Sequence, residues 1–177
     1  MYGIENEKKA RDSYYLKIKD QHHNLKVYEV GFAISMSKPI MGASPDGFVQ
    51  CDCCTAATAG CIEVKCPHSM KDSSIEEYAK SKNSCWIASG NNYSLDREHA
   101  YYYQTQLQMF CSETKFCDFV LWSKKCLFIE RIFINNDFLN EKLKLAENFH
   151  AMVIVPELLS RCFTQPIIKP ALELNII

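Results

Sequence analysis

The sequence predicts an α/β sandwich, in which helices flank a mixed β-sheet of about five strands. Residues 4–19 carry apolar side chains at helical spacing, and residues 26–65 contain short β-branched and aromatic runs typical of a strand meander. A second helical pattern at 98–111 precedes two nearly continuous apolar runs, 117–122 and 127–134. Such runs indicate strands that are covered on both faces.

The length of 177 residues is that of one domain. We assign the domain to residues 1–165, including a closing helical region at 136–160 in which Pro156 begins a short helix or a kink. Residues 166–177 form an apolar C-terminal tail. The formal net charge of −1 excludes a globally basic surface, so nucleic-acid binding would depend on local patches.

Cysteine use and the absence of targeting patterns predict the compartment. The chain has 10 cysteines, no secretory pattern at its N-terminus, and no apolar run of the ~18 residues that a membrane helix needs. Cysteines also fall within apolar patterns. We therefore expect reduced thiols in an intracellular protein, nuclear or cytoplasmic, that is not secreted and does not associate with membranes.

The first helix carries an acid on its apolar stripe, which consists of Ile4, Glu7, Ala10, Tyr14 and Ile18. A buried acid is costly unless it is paired or binds a cation. Two interpretations stay open from the pattern alone: Glu7 lies at the rim of the core, or it takes part in chemistry.

The meander is predicted to bring two acids and a lysine together. A strand at 26–34 is followed by short strand pieces on either side of a turn at Asp46, which Pro45 and Gly47 favour. In the strand 62–65, Glu63 and Lys65 share one face because side chains alternate along a strand. If these strands pair antiparallel, the arrangement suits a Mg²⁺ site. The alternative is a solvent-exposed hairpin in which Glu63 and Lys65 have a structural rather than a catalytic role.

Cysteines between the turn and this strand raise the question of zinc. The thiols in question are Cys51, Cys53, Cys54 and Cys61, with Cys66 just beyond. The spacing C-x-C-C is not that of a zinc knuckle, and no second pair follows at ribbon distance. The spacing therefore argues against zinc and favours a reduced, cysteine-rich hairpin tip with Cys61 buried.

The second half of the chain contributes glutamines beside a core stripe. Residues 68–92 are predicted to be a polar surface connection with a short helix at 75–81, and residues 85–87 an apolar packing island. In the helix at 98–111, the predicted apolar stripe comprises Ala100, Tyr103, Leu107, Phe110 and Cys111. Gln104 lies at the edge of this stripe, Gln106 faces the opposite way, and Gln108 could face the cleft one turn on.

Two extended motifs resemble the YqaJ-type viral recombinase family, which comprises lambda-exonuclease-like nucleases of the PD-(D/E)XK superfamily. They are Gly-Ala-Ser-Pro-Asp-Gly at 42–47 and Glu-Val-Lys-Cys-Pro at 63–67. The family's G-x-x-x-E-x-x-A helix matches at Gly3, Glu7 and Ala10, and its Tyr-x-x-Gln-x-Gln helix matches at Tyr101 and Gln104. The resemblance covers residues 3–159 and implies a restriction-endonuclease-like core.

The resemblance also implies a Mg²⁺- or Mn²⁺-dependent deoxyribonuclease, an exonuclease more than an endonuclease, with DNA as partner and a role in recombination, repair or mobile-element processing. The implied metal ligands are oxygen donors: Asp46, Glu63, the Val64 carbonyl and Glu7. Lys65 would orient or activate the attacking water, and Glu7 would bind a second metal or its water. Gln104 would fix that metal shell and Lys65, and Ser44 would donate to a phosphate. A homo-oligomeric assembly is left open.

One departure from the family affects these expectations. In lambda exonuclease and its relatives a further helical segment precedes the first acidic helix and supplies an arginine and a serine near the DNA end. Here Met1 stands almost at that helix, so we expect the segment to be lacking and 5′-phosphate recognition is not carried over. Two other functions stay open: a catalytically inactive DNA-binding or scaffold domain of the same fold, and a zinc-bound interaction module.

Overall fold

The computed structural model describes residues 2–54, 59–82, 84–90 and 92–165. The tail predicted at 166–177 lies outside these residues. The helices are α1 (Tyr2–Ile18), α2 (Ile75–Ala79), α3 (Ala100–Ser112), α4 (Asn136–Phe149) and α5 (Val155–Ser160). The strands are β1 (Lys26–Tyr28), β2 (Ala33–Ile34), β3 (Gly42–Ala43), β4 (Gly47–Gln50), β5 (Gly60–Lys65), β6 (Trp86–Ser89), β7 (Asn92–Leu95), β8 (Phe116–Trp122) and β9 (Leu127–Phe133).

The main sheet is mixed and contains five strands in the order β1-β4-β5-β8-β9, which confirms the predicted fold class. The pairs β1–β4, β4–β5 and β8–β9 are antiparallel, and β5–β8 is parallel. The meander β1–β4–β5 is the antiparallel arrangement predicted from the sequence. The chain leaves β5 and returns through α3 to β8, as a parallel pair requires a crossover connection.

The sheet is covered on both faces by separate apolar layers. On one face, Ala10 and Tyr14 of α1 pack with Ile62, Val64 and Val120. The opposite face carries a larger layer that α2, α3 and the β6–β7 hairpin contribute to: Cys61, Met70, Tyr78, Cys85, Trp86, Leu95, Tyr102, Met109, Cys117, Phe119, Leu121 and Ile132. Because β5 is buried along almost its whole length, polar side chains on it must find partners within the protein.

Two predictions about strands were wrong. The predicted strand 26–34 ends at Tyr28, and Ala33–Ile34 pairs with Gly42–Ala43 in a separate two-stranded sheet. The predicted surface connection 68–92 contains β6, which pairs with β7. Its Trp86 is buried against the rings of Phe119 and Phe128, at 5.6 and 4.5 Å between ring centroids. Through these aromatic contacts, part of a segment that is mostly polar in sequence packs into the core.

The predicted burial of two elements also needs correction. β9 is an edge strand in the main sheet, and its Arg131 and Phe133 are exposed rather than covered. In α1 the buried residues are Asn6, Ala10, Arg11 and Tyr14, whereas Ile4 is 73% exposed. The buried face of the helix is therefore rotated relative to the predicted stripe, because Arg11 points inward and forms ion pairs with acidic side chains.

The chain divides into two compact units at Leu139. The first unit holds α1 to α3 and the strands given above. The second holds most of α4, a π-helical turn at His150–Ile154, and α5, which has Pro156 in its first turn as predicted. The assignment of residues 1–165 to one domain stays a prediction. Among the described residues, no helix has both the length and the apolar character to cross a membrane.

Candidate active site

The turn that carries Asp46 is tied to β5 from both its backbone and its side chain. Asp46 N donates to the Ile62 carbonyl (2.9 Å), and Asp46 Oδ2 accepts from Val64 N (2.7 Å). Gly47 follows, and a Cβ at this position would lie 2.9 Å from the Tyr28 carbonyl oxygen. The close approach of β1 and β4 thus explains why residue 47 is a glycine. The two hydrogen bonds to β5 hold the Asp46 carboxylate beside that strand.

Glu63 lies on β5 with only 1% of its surface exposed. Its Oε1 accepts from Gln104 Nε2 (2.7 Å) and its Oε2 accepts from Gln108 Nε2 (2.6 Å). Lys65 completes the set by an ion pair with Oε1. This buried carboxylate has one charged and two neutral donors, so both of its oxygens have partners within the protein.

Lys65 lies beside Glu63 at the end of β5, as the alternation of side chains predicts. Its Nζ also sits 4.6 Å from the centroid of the Tyr101 ring, a cation–π contact from α3. Burial lowers the pKa of Lys65, but the charge and hydrogen bond of Glu63, together with the negative charge of Asp46, raise it, so the net shift is upward. The side chain is therefore an ammonium at neutral pH and a donor of hydrogen bonds.

Glu7 faces the same region from α1 but has a partner of its own. Arg11 Nη1 donates to Glu7 Oε1 (2.6 Å) and to the Asp46 carbonyl (2.9 Å), and Arg11 Nη2 ion-pairs with Glu29. Arg11 thereby links α1, the Asp46 turn and the segment after β1. Glu7 is half-buried at the rim of the core and lines the cleft, so both interpretations of this residue stay open.

A cleft of about 340 Å³ brings most of the predicted residues together. Its lining includes Glu7, Asp46, Glu63, Val64, Lys65, Tyr101 and Gln104. Ser44 is exposed and lines an adjoining depression with Glu7, Arg11 and Asp46 instead. The carbonyl of Ser44 accepts from Gln108 Nε2 (3.1 Å). The structure thus brings all the predicted residues except Ser44 together in one cleft. Ser44 lines the adjoining depression instead.

The acids of the cleft perturb one another. Burial, and then the negative charge of Glu63, raises the pKa of Asp46 to about 7, from an ordinary value of 3.8. The hydrogen bond from Val64 N lowers the pKa, the negative charge of Glu7 raises it, and the Lys65 ammonium lowers it. Without a cation, Asp46 therefore carries a proton for about half of the time at neutral pH.

Sequence reasoning missed one residue of this site, Arg11, and left a second, Gln108, as an option. Arg11 is 9% exposed, and its position four residues after Glu7 on a helix is the signal that could have found it. Gln108 was left as one option and proves to be a direct partner of Glu63. The apolar stripe predicted for α3 was wrong, because the buried positions of this helix include polar residues: Thr105, Gln106 and Gln108.

A second cluster of donor atoms lies elsewhere on the first unit. Ligand atoms of His22, Cys51, Cys53 and Cys54 all fall within 4.8 Å of one another. The set that the sequence analysis weighed for zinc, and argued against, had Cys61 as its fourth member, and the prediction that Cys61 is buried is confirmed. Cys61 is fully buried on β5, where its Sγ donates to the Phe116 carbonyl (3.7 Å). His22, which the spacing of cysteines does not reveal, takes its place.

Comparison with known proteins identifies the family. Residues 1–115 match the model of the YqaJ-like viral recombinase domain. The chain belongs to this family. The resemblance carried by the Ser-Pro-Asp-Gly and Glu-Val-Lys motifs is thereby confirmed, and the matched span of this YqaJ-like domain contains every residue of the cleft. No curated protein matches the chain significantly.

Solved structures of an exonuclease resemble the YqaJ-like domain. An alkaline exonuclease, LHK-Exo from Laribacter hongkongensis, is 27% identical, with a TM-score of 0.64 over 90% of this chain and 71% of that chain. LHK-Exo in complex with dAMP matches with the same identity and TM-score, over 70% of that chain. Family and neighbours together support a DNA nuclease of the lambda-exonuclease type.

Proposed function

We propose that this chain is a Mg²⁺- or Mn²⁺-dependent deoxyribonuclease that hydrolyses phosphodiester bonds, acting as an exonuclease in DNA recombination, repair or mobile-element processing. The observation that carries the proposal is the meeting of Asp46, Glu63 and Lys65 in one cleft. Its neighbours in structure support the choice of exonuclease, since LHK-Exo is an alkaline exonuclease whose structure has been determined with dAMP.

The residues present fit a hard divalent cation. The cleft offers carboxylate oxygens from Asp46 and Glu63, with the Val64 carbonyl and Glu7 as further oxygen donors, and Mg²⁺ prefers such ligands. Burial first, and then the nearby negative charge of Glu63, raises the pKa of Asp46, so the ionised carboxylate lacks a compensating positive charge. A divalent cation removes the repulsion between Asp46 and Glu63 and holds both carboxylates ionised. When bound, it would act as a Lewis acid on a phosphoryl oxygen and ease formation of hydroxide.

Lys65 serves the reaction as a positioned cation. Because Glu63 keeps the lysine protonated, it acts by donating a hydrogen bond to the attacking water or to a phosphate oxygen rather than by removing a proton. The Tyr101 ring and the Glu63 carboxylate restrict the direction in which Nζ points. Charge that builds on the phosphate in the transition state is stabilised by such a fixed donor.

Three further residues position these groups. Gln104 and Gln108 hold the two oxygens of Glu63 in a fixed plane through their amide N–H groups. Glu7 would bind a second cation or its water, and its ion pair with Arg11 sets the direction of its carboxylate. Ser44, at the depression beside the cleft, is proposed to contact a phosphate of the substrate strand.

The test is a paired measurement of DNA cleavage and DNA affinity. Wild type, Lys65→Ala and Asp46→Ala are incubated with linear and with circular duplex DNA in Mg²⁺, in Mn²⁺ and in EDTA. We expect the wild type to degrade linear DNA and to spare circular DNA, with no cleavage in EDTA. Lys65→Ala should keep its fold and lose roughly 10²–10³-fold in rate, the usual range for loss of a fixed donor that stabilises charge in the transition state.

An inactive scaffold of the same fold gives a different pattern. In that case no divalent cation supports cleavage, and Asp46→Ala binds DNA more tightly, because a negative charge near the phosphates has been removed. Millimolar Mg²⁺ should also raise the melting temperature of the wild type by mass action, and Asp46→Ala should show no such rise. Absence of the rise in wild type would count against a cation site in the cleft.

A further inference from the structure

A compact set of one imidazole and three thiols lies where the segment before β1 meets the turn after β4. His22 Nδ1 lies 3.4 Å from Cys51 Sγ, 3.6 Å from Cys53 Sγ and 3.4 Å from Cys54 Sγ. The Sγ atoms of Cys51 and Cys53 are 3.6 Å apart. All three cysteines are free thiols, so the cluster is not an arrangement of disulfides.

These separations match the edges of a zinc coordination tetrahedron. With Zn–S near 2.3 Å and Zn–N near 2.0–2.1 Å, the edges of a tetrahedron are roughly 3.8 Å between sulfurs and roughly 3.6 Å between nitrogen and sulfur. The observed contacts of 3.4 to 3.6 Å are close to both. One nitrogen atom, His22 Nδ1, is shared by all three contacts with sulfur, as expected when four ligands converge on one point.

Hydrogen bonds around the cluster hold the two ligand-bearing loops together. His23 N donates to Cys53 Sγ (3.2 Å). Asp52 N donates to the His23 carbonyl (2.9 Å), and Asn24 Nδ2 donates to Asp52 Oδ2 (2.6 Å). Partners of this kind orient metal ligands in proteins. Each loop therefore contributes both ligands and supporting bonds.

We propose that His22, Cys51, Cys53 and Cys54 bind one Zn²⁺ ion in a structural site. Three thiolates and an imidazole select zinc over the Mg²⁺ or Mn²⁺ proposed for the cleft, whose donors are oxygens. Four protein ligands complete the tetrahedron and leave no open position for a substrate, which is the mark of a structural rather than a catalytic zinc site. The proposal does not depend on the nuclease activity.

The position of the site explains what the ion does for the fold. Lys26 of β1 pairs with Gln50 of β4, so His22 comes shortly before one strand and Cys51 directly after its partner. A zinc ion at this point fastens the open ends of the β1–β4 pair, where β1 has only three residues to hold it. Short edge strands gain the most from such a crosslink, because few ladder bonds keep them in place.

The experiment measures metal content on the full chain. Protein purified under reducing conditions in the presence of zinc is dialysed and analysed by elemental mass spectrometry, and we expect about one zinc ion per chain. Cys54→Ser and His22→Ala should each lower zinc affinity by at least about tenfold, since even residues that only support ligands are worth roughly 10- to 100-fold. Replacement of zinc by Co²⁺ should give the visible absorption of a thiolate-bound tetrahedral ion.

Two matched controls come from the same chain. Cys162→Ser removes an exposed cysteine of the second unit, and His23→Ala removes the neighbouring ring while keeping the backbone N–H that contacts Cys53. Both should retain zinc. Circular dichroism checks that each variant is folded. A folded wild type that takes up no zinc from a stoichiometric supply, or zinc that survives Cys54→Ser but is lost in Asp46→Asn, would overturn the proposal.

Discussion

At one end of strand β4 lies Asp46, which faces a cleft of oxygen donors, and at the other end lies Cys51, which begins a cluster of sulfur donors. The strand has four residues and is therefore roughly 13 Å long. The cleft is walled by α1, β5 and α3, and its Glu63 is buried. The cluster is formed by two surface loops, and its Cys53 and Cys54 are exposed.

The two proposed ion sites at the ends of β4 differ in their donors and in how the protein holds them. Donor type separates the sites, since hard Mg²⁺ takes oxygens and zinc takes sulfur and imidazole nitrogen. The two sites also differ in how the protein holds their residues in place. Side chains from distant elements hold the cleft together, whereas the cluster lies on two loops that the proposed zinc ion would hold together.

The largest expected effect comes from removing the charge of Asp46. Asp46→Asn should lower cleavage roughly a thousandfold, because the metal contribution to such reactions is several kcal/mol, and should leave zinc content unchanged. Single-turnover cleavage and elemental analysis on the same sample check both statements. Asp20→Asn, an exposed acid after α1, is the control. Loss of zinc in Asp46→Asn would show that the two sites are not independent.

The pH dependence of Mg²⁺ binding should reflect the proton on Asp46. With a native pKa of about 7, the proton competes with the cation, so apparent Mg²⁺ affinity should fall by up to about tenfold for each pH unit below 7. Titrations of the melting temperature with Mg²⁺ between pH 5.5 and 8.5, a range set roughly by this pKa, measure the effect. Affinity that stays constant across the range would contradict the raised pKa.

The same proton should make the metal-free protein less stable at high pH. The native state holds the proton more tightly than the unfolded chain, where the ordinary pKa is 3.8. Its contribution to stability is therefore lost as pH rises from about 4 to about 7. In EDTA, Asp46→Asn should lack this part of the pH dependence and should melt above wild type at pH 8, a value chosen as roughly one unit above the native pKa.

Two glutamines of α3 offer a matched pair with a smaller effect. Gln108→Leu removes the donor to Glu63, whereas Gln106→Leu removes bonds to the Phe133 carbonyl and Asn135 N. Each should cost about 1–3 kcal/mol of the free energy of unfolding, as buried groups lose their partners. Only Gln108→Leu should also weaken Mg²⁺ binding and cleavage. Equal loss of cleavage in both variants would mean that Glu63 needs no specific support.

The smallest expected effect is that of the sulfur cluster on catalysis. Cys54→Ser should lower the melting temperature, but should change the cleavage rate of the folded protein by less than about tenfold, because a whole strand separates the cluster from the cleft. Cleavage rates at a temperature well below both melting points provide the check. A loss as large as that of Asp46→Asn would place the cluster in the reaction itself.

The sequence predicts the cleft better than the cluster for a physical reason. Glu63 and Lys65 share a face because strand alternation is local, and Pro45 and Gly47 mark the Asp46 turn by their own conformational preferences. His22 joins the thiols only because β1 pairs with β4 in one register, Lys26 with Gln50. A register is a long-range property that cysteine spacing does not contain.

Helix α3 shows the same limit from the side of burial. Its predicted stripe followed apolar residues, but Gln106 and Gln108 are buried because partners in β9 and β5 satisfy their amides. A polar side chain can be buried wherever a distant element supplies its hydrogen bonds. Trp86 was easier to predict, because the apolar island at 85–87 indicates packing from local sequence alone and the ring is buried.

The glutamines of α3 make contacts with residues far away in sequence, and such contacts bear on the order in which parts of the chain fold. Gln104 and Gln108 reach Glu63 from 41 and 45 positions away, and Gln106 on the opposite side of the helix reaches Phe133 from 27 positions away. Contacts between such distant positions form late, after the entropy of closing long loops has been overcome. A refolding chain should thus recover its cleft only when α3 has docked against both Glu63 and Phe133. The rate at which cleavage returns after dilution from denaturant should therefore report the rate of that docking step.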